Sequence, residues 1–270
     1  MHQNIDSLFA AMWQDYLHQT PSAAKVHDLL AQDDEIINDH IALRTFNLPK
    51  VGLPVLAAHF EALGYRAAGE YEFKQKKLKA KHYEHPDATK PKVFISELLV
   101  EQFSPWLQQT VANMVDQVAD AAVMADEFLY SGRHWALDFA TYEQLLAESE
   151  YAAWLAAFGY RANHFTVSVN HLKLYDSIVA VNDTLKHAGI VLNSAGGEVK
   201  GSPAVMLEQS STMADQIPVA FDDGGHTIPS CFYEFALRYP QADGTLYRGF
   251  VEASADKIFE STNTNVSAKA

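Results

Sequence analysis

Asn38-Asp39-His40-Ile41-Ala42-Leu43-Arg44-Thr45-Phe46 decides how this chain is read. β-Branched and apolar residues alternate with polar ones after an acidic run, which is the period-2 pattern of a strand. Side chains on a strand point to alternate faces, so His40, Ala42 and Arg44 share one side and Ile41 and Leu43 the other. The alanine leaves a small gap beside both the imidazole and the guanidinium. That face therefore offers a metal ligand next to an anion-binding group. A lone strand histidine more often serves packing, so the weight falls on what recurs elsewhere in the chain.

The pattern does recur. Asn163-His164-Phe165-Thr166-Val167 repeats Asp39-His40-Ile41-Ala42-Leu43 as polar, histidine, apolar, small, apolar. Each run leads into a helix that ends at a glycine, with Gly64 24 residues after His40 and Gly189 25 residues after His164. Histidine, helix and glycine recurring together point to an internal duplication of a βαβββ unit.

Outward from these two strands, helices are expected over 6–18 and 23–31, and a helix over 53–63 stopped by Gly64. Strands follow at 65–68, 74–81 and 92–97. Residues 98–160 read as mostly helical, with one amphipathic stripe through Phe103, Trp106, Leu107, Val111 and Met114 and another over 142–158. In the second unit, a helix over 172–187 precedes strands at 205–210 and 231–238. A Gly/Asp/Pro-rich loop at 221–229 is expected between those strands, and the small, polar residues 262–270 are expected to be disordered. The fold class is α+β: two βαβββ modules forming a cupped mixed sheet, with N-terminal helices and a helical insertion between the modules. The expected bounds are one domain over 1–270, a first module at 36–97, the insertion at 98–160, a second module at 161–239 and a C-terminal segment at 240–270.

The 270 residues are 48% hydrophobic and 20% charged, ordinary values for a globular protein. A net charge of −14 argues against nucleic acid and anionic membrane as partners. Cys231 is the single cysteine, which rules out an intramolecular disulfide and points to a reducing, cytoplasmic compartment. No basic segment followed by an apolar run opens the chain, so no signal peptide is expected. No stretch approaches the roughly 18 apolar residues of a membrane span. The partners expected are small molecules.

Ser230-Cys231-Phe232-Tyr233-Glu234-Phe235-Ala236-Leu237-Arg238 closes the second unit and sets Glu234 among apolar and aromatic neighbours. Burying an unpaired carboxylate is costly, so Glu234 needs a cationic partner. Arg238 on the same face and Arg44 are two choices, and a metal is the third. Two histidines and one carboxylate from three strands match the facial donor set of non-haem Fe(II) and leave three positions open on an octahedral ion. A 2-oxo acid fills two of these through its carboxylate and keto oxygen, and O2 takes the third. Zinc with an open position is the alternative. Gln209, on a strand of the second unit, either orients a ligand or makes an ordinary strand hydrogen bond. His82-Tyr83-Glu84-His85 is a rival metal cluster, but it follows the lysine-rich run 74–81 and precedes Pro86, so it reads as an exposed loop edge. The lysines read as a solvated face. His171 is placed on the opposite pleat from His164, and His134 and His226 in loops.

His40-Ile-Ala-Leu-Arg44-Thr, Pro91-Lys-Val-Phe-Ile-Ser-Glu-Leu98, Asn163-His164-Phe-Thr, Phe232-Tyr-Glu234-Phe and Ser254-Ala-Asp-Lys-Ile-Phe-Glu-Ser261, taken in order, resemble the 2-oxoadipate dioxygenase/decarboxylase family of the vicinal oxygen chelate superfamily. The resemblance runs from about residue 5 to residue 262. It implies Fe(II) held by His40, His164 and Glu234, although zinc or nickel can occupy such a site in a crystal. It also implies conversion of 2-oxoadipate and O2 to 2-hydroxyglutarate and CO2. Arg44 would hold the distal carboxylate, as a guanidinium fork suits bidentate pairing. Ala253 and Ser254 would line the substrate pocket at a short helix capped by Ser254, with its N–H groups facing the anion. Gln209 and Arg238 would support the ligands from behind. The chain departs from the characterised bacterial members in having only 240–250 between the Glu234 strand and the Ser254 segment, which leaves the identity of the 2-oxo acid open. Two other readings remain at this point: a metal-dependent isomerase or lyase that enolises a chelated substrate, and a metal-free small-ligand-binding module.

Overall fold

The computed structural model describes residues 2, 4–31 and 35–263. Helices α1 (Ile5–Gln19) and α2 (Pro21–Ala31) lead to β1 (Asn38–Phe46), α3 (Leu53–Glu61), β2 (Arg66–Phe73), β3 (Leu78–Glu84) and β4 (Lys92–Leu98). Helices α4 (Pro105–Asp116), α5 (Asp120–Val123), α6 (Phe139–Glu148) and α7 (Glu150–Phe158) follow, with a 3-10 turn at Asp126–Tyr130 between α5 and α6. The second unit then runs β5 (Ala162–Ser168), α8 (Ile178–His187), β6 (Lys200–Ser202), β7 (Leu207–Ser211), the hairpin β8 (Gln216–Phe221) and β9 (Gly224–Pro229), and β10 (Phe232–Arg238). Helix α9 (Glu252–Ile258) comes last. Among the described residues no helix is long and apolar enough to cross a membrane.

Eight strands form one mixed, curled sheet in the order β2-β3-β4-β1-β5-β10-β7-β6. Its two halves are built alike. β1 runs parallel to β4 and β5 parallel to β10, while β1 and β5 meet antiparallel at the centre. The duplication legible in the sequence is thus a pseudo-twofold arrangement about the β1–β5 junction. Both turn glycines adopt the left-handed conformation that residues with a Cβ disfavour, with φ of 101° at Gly64 and 79° at Gly189. The register also shows where the halves differ. His40 pairs with Lys92 and His164 with Phe232, so Glu234, two residues past Phe232, corresponds to Phe94, two past Lys92. One half supplies a carboxylate and the other an apolar wall.

The two faces of the sheet have different work. On the convex side, Trp13 and Tyr16 of α1 pack on Phe165, with ring centroids 5.0 and 4.9 Å away, and the Tyr16 hydroxyl donates to the Phe232 carbonyl at 2.5 Å. On the concave side, α7 is anchored by Tyr151, whose hydroxyl donates to the Ser96 carbonyl and accepts from the Thr45 amide.

Four expectations are corrected. The region 221–229 is not a loop between strands: 224–229 pairs with 216–221 as a hairpin that turns at Asp222-Asp223 and buries Phe221 and Ile228. The strand expected at 65–68 extends to Phe73, and 74–77 forms the turn before β3. His82 is not at an exposed loop edge but buried in β3, paired with the Tyr71 hydroxyl at 2.8 Å, because β2 and β4 flank that strand. Thr262 is buried and accepts a hydrogen bond from Arg44, whereas 264–270 of the tail expected to be disordered lie outside the described residues.

Candidate metal centre

Three neighbouring strands bring His40, His164 and Glu234 together. All three are buried, and their ligating atoms lie within 4.8 Å of one another. Glu234 Oε2 is 3.0 Å from His164 Nε2 and 3.6 Å from His40 Nε2. Ligands bound at 2.0–2.2 Å in cis positions sit about 3 Å apart, so side-chain shifts of about 1–2 Å close the triad on a divalent ion.

Two β-bulges set the rings. Along β1 and β5 the pairing steps from Asn38↔Val167 to His40↔Thr166, and from Ala42↔His164 to Leu43↔Ala162. Asp39 and Asn163 are therefore the extra residues, each immediately before its histidine. A bulge re-aims the side chain it carries. Asp39 Oδ1 faces His40 Nδ1 at 2.8 Å, and Asn163 Oδ1 faces His164 Nδ1 at 3.1 Å. Each oxygen accepts an Nδ1–H and leaves the Nε2 lone pair for a metal, the arrangement in which a second residue fixes tautomer and ring direction. The Thr166 hydroxyl lies 3.1 Å from His40 Nε2.

Asp39 is held in turn. Arg238 donates from Nε to Oδ2 at 2.6 Å and from Nη2 to Oδ1 at 2.9 Å. Its Nη1 donates to the carbonyls of Tyr247 and Gly249. Arg238 is thus not the partner of Glu234 that the shared strand face suggested. It pairs with Asp39 and ties the segment after β10 to the histidine. That segment delivers Phe250, whose ring meets His40 edge-on with centroids 4.8 Å apart. Gln209 Nε2 donates to Glu234 Oε1 at 2.5 Å, a bond between side chains of the neighbouring strands β7 and β10.

The electrostatics follow from these contacts. Burial works against ionisation of Glu234, but the two imidazoles override it and hold the carboxyl at about 2. Burial likewise opposes the charged form of both histidines. For His40 the Glu234 and Asp39 carboxylates outweigh it and raise the pKa. For His164 burial wins and the pKa is lowered, with only Glu234 in its favour and His40 and Arg44 against it. Asp39 is held well below the usual carboxylate range, because Arg238 and His40 together outweigh its burial.

A cavity with about 380 Å³ of free space, mouth included, opens between the triad and Arg44. Ala42, Phe94, Phe250, Ile258 and Phe259 make much of its wall apolar. Arg44 is fully buried at the far end, donating from Nη1 to Glu150 at 3.1 Å and from Nη2 to Thr262 at 3.2 Å. Its guanidinium lies over the rings of Tyr151 and Trp154, while Nε has no protein partner. A guanidinium fixed by stacking with a donor unspent has the chemistry to pair with a carboxylate.

Ala253 and Ser254 occupy other positions than expected. Ala253 is exposed and Ser254 is buried beside Gly201. The helix is capped by Val251 with no side-chain cap, and Ala255, Ile258 and Phe259 are the residues that reach the cavity. His171 bonds Ser168, His134 bonds Ser131, and His226 stacks on Phe139; none of them belongs to the cavity wall. Sequence reasoning missed Asp39 and Asn163, although the polar residue before each histidine was part of the repeat.

Replacing Asp39 by alanine is expected to weaken metal binding about 10–100-fold, the usual cost of losing a ligand's orienting partner. It should also lower the stability of the metal-free protein by about 3–5 kcal/mol, because Arg238 is left as a buried unpaired charge. Metal titration and urea unfolding measure the two effects separately.

The family model for 2-oxoadipate dioxygenase/decarboxylase matches residues 3–244. The chloroplastic 2-oxoadipate dioxygenase/decarboxylase of Arabidopsis thaliana is 37% identical, over 95% of this chain and 76% of that protein. A crystal structure from Shewanella frigidimarina, described as a hydrolase, superposes with a TM-score of 0.91 at 65% identity, covering 94% of this chain and all of that one. The Oryza sativa hydroxyglutarate synthase in complex with 2-oxoadipate superposes with a TM-score of 0.89 at 33% identity, covering 97% and 93% of the two chains.

Proposed function

As the chain belongs to the 2-oxoadipate dioxygenase/decarboxylase family, we propose that His40, His164 and Glu234 hold Fe(II) and that Arg44 receives the distal carboxylate of a dicarboxylic 2-oxo acid. The enzyme takes this acid and O2 to the 2-hydroxy acid one carbon shorter and CO2; with 2-oxoadipate the product is 2-hydroxyglutarate. The observation that carries the site assignment is the convergence of three ligating atoms within 4.8 Å in a cavity whose other end is a buried arginine. Two nitrogens and one carboxylate oxygen form the donor set that suits Fe(II) and leaves room for a chelating substrate and O2. The replacement of a second carboxylate by Phe94 in the first half accounts for three ligands rather than four.

Bound there, the metal supplies Lewis acidity toward the 2-oxo acid and electrons toward O2. The chain supplies the rest. Asp39 and Asn163 hold the Nε2 lone pairs on the metal, and Gln209 fixes the direction of Glu234. Arg44 sets the substrate's length and orientation, four residues from His40 on one strand and so about 13 Å away along it. Phe94, Phe250 and Phe259 keep water from the reacting carbons. We place the enzyme in a reducing, cytoplasmic setting, a reading supported by a lone buried cysteine; the Arabidopsis relative is named as a chloroplast protein.

The test is anaerobic loading with Fe(II), then addition of 2-oxoadipate in an oxygen electrode. One O2 consumed per CO2 released is the expected result, abolished by a chelator. Turnover without O2 would favour a hydrolase, the description of the Shewanella protein, or an isomerase or lyase. Failure to retain any metal would leave only a binding module.

A further inference from the structure

The two bulge residues have diverged in a way that the metal alone does not explain. In the first half, both oxygens of Asp39 are taken, by His40 and by the bidentate Arg238. In the second half the same position is Asn163, with a single partner. Its Oδ1 faces His164 Nδ1. That nitrogen must carry the proton if Nε2 is to bind a metal, so the amide cannot be flipped without setting one N–H against another. Nδ2 is thereby fixed as a donor on the other side of the amide. It has no partner, although Asn163 is only 1% exposed. Buried donors are rarely left unpaired, and the side chain lines the cavity.

Register says where along the cavity this donor lies. Ala42 pairs with His164 and Leu43 with Ala162, so Asn163 stands beside the Ala42–Leu43 peptide, one step from the metal corner toward Arg44. An ionised 2-oxo diacid has only acceptor atoms, its two carboxylates and its keto oxygen. A free N–H matches such a ligand. Gln209 Oε1, the other unpartnered amide atom on the wall, is an acceptor and does not.

We infer that Asn163 is a substrate-binding residue: Oδ1 orients His164 while Nδ2 donates a hydrogen bond to a carboxylate oxygen of the bound 2-oxo acid. The inference rests on the proposed reading of the cavity as a 2-oxo acid site. It gives the halves distinct tasks, with Asp39 serving only the metal and Asn163 serving metal and substrate. It also explains why the second bulge carries a neutral amide, since an aspartate there would set a carboxylate against an anionic ligand.

The test uses cobalt(II) as a redox-inert probe at saturating concentration, with 2-oxoadipate binding followed by the visible spectrum of the metal without O2. Asn163→Asp keeps an oxygen for His164 and should still fill with cobalt at the saturating concentration used, yet bind 2-oxoadipate at least about tenfold more weakly, the scale of a lost hydrogen bond to a charged group. Asn163→Ala removes the donor without adding charge and should weaken 2-oxoadipate binding by a similar factor. With Fe(II), both losses should appear in KM more than in kcat. Either variant binding 2-oxoadipate within twofold of the native protein at full metal occupancy overturns the inference. If native cobalt protein itself fails to bind 2-oxoadipate, the site reading has failed and takes this inference with it.

Discussion

Glu234→Gln is expected to lower metal affinity several hundredfold and to bring turnover of 2-oxoadipate below detection. Glu234 is the only anionic member of the triad, and the substitution keeps its volume while replacing a charged oxygen by a weak neutral ligand. Structural zinc sites with four ligands bind with about 10–16 kcal/mol in all, or about 2.5–4 kcal/mol per ligand, which corresponds to roughly a hundredfold to a thousandfold in dissociation constant. The metal-free protein should also lose some stability, because the imidazoles that hold the native carboxyl low lose their charged partner. Two melting curves separate these statements. Metal should raise the Tm of the native protein, because a ligand at a thousand times its Kd adds about 4 kcal/mol. It should raise the variant's Tm far less. A variant that retains stoichiometric metal by elemental analysis and still consumes O2 with 2-oxoadipate removes Glu234 from the centre.

The parts of this centre that the sequence exposes are those that obey a period. His40 and His164 stand out because the same pattern recurs with a helix and a glycine at matching distance, and Glu234 because a carboxylate amid Phe232, Tyr233 and Phe235 has no cheap environment. What supports them breaks the period. Alternation on an ideal strand sends Asp39 and His40 to opposite faces, and it does the same to Asn163 and His164. Only the one-residue mismatch with the neighbouring strand turns each pair inward, and that mismatch lives in the pairing rather than in either segment. The same limit explains Arg238. Its strand neighbour Glu234 was the nearest acid in sequence, but the guanidinium crosses to Asp39, 199 residues away. For His82, a lysine-rich approach and a following proline looked like an edge, yet the strand lies second from the sheet's end with β2 outside it. The cavity wall from α9 was legible only as a resemblance, and there the reading was displaced by a residue or two, from Ala253 and Ser254 to Ala255 and Ile258.

Arg44→Ala should retain metal and lose the preference for a second carboxylate. None of the three ligating groups touches Arg44, so metal content should match the native protein. At the far end of the cavity the change removes a fully buried guanidinium, and truncating one side of a desolvated charge pair costs about 2–5 kcal/mol. kcat/KM for 2-oxoadipate should therefore fall by roughly two to three orders of magnitude. For 2-oxohexanoate, which ends in a methyl group, no such pair exists, and its kcat/KM should fall far less. The ratio between the two acids is the quantity to measure. Stability should suffer moderately: Glu150 loses its partner, but its side chain is 22% exposed and can rehydrate, and the gap left among Tyr151, Trp154 and Phe259 is the larger cost. Arg44→Lys is not a conservative control, because a single ammonium cannot engage Glu150, Thr262 and a substrate carboxylate in the fork geometry of a guanidinium. It should restore part of the charge effect and little of the discrimination. Equal losses on both acids would assign Arg44 to the architecture of α7 rather than to recognition, and loss of metal would place it in the centre itself.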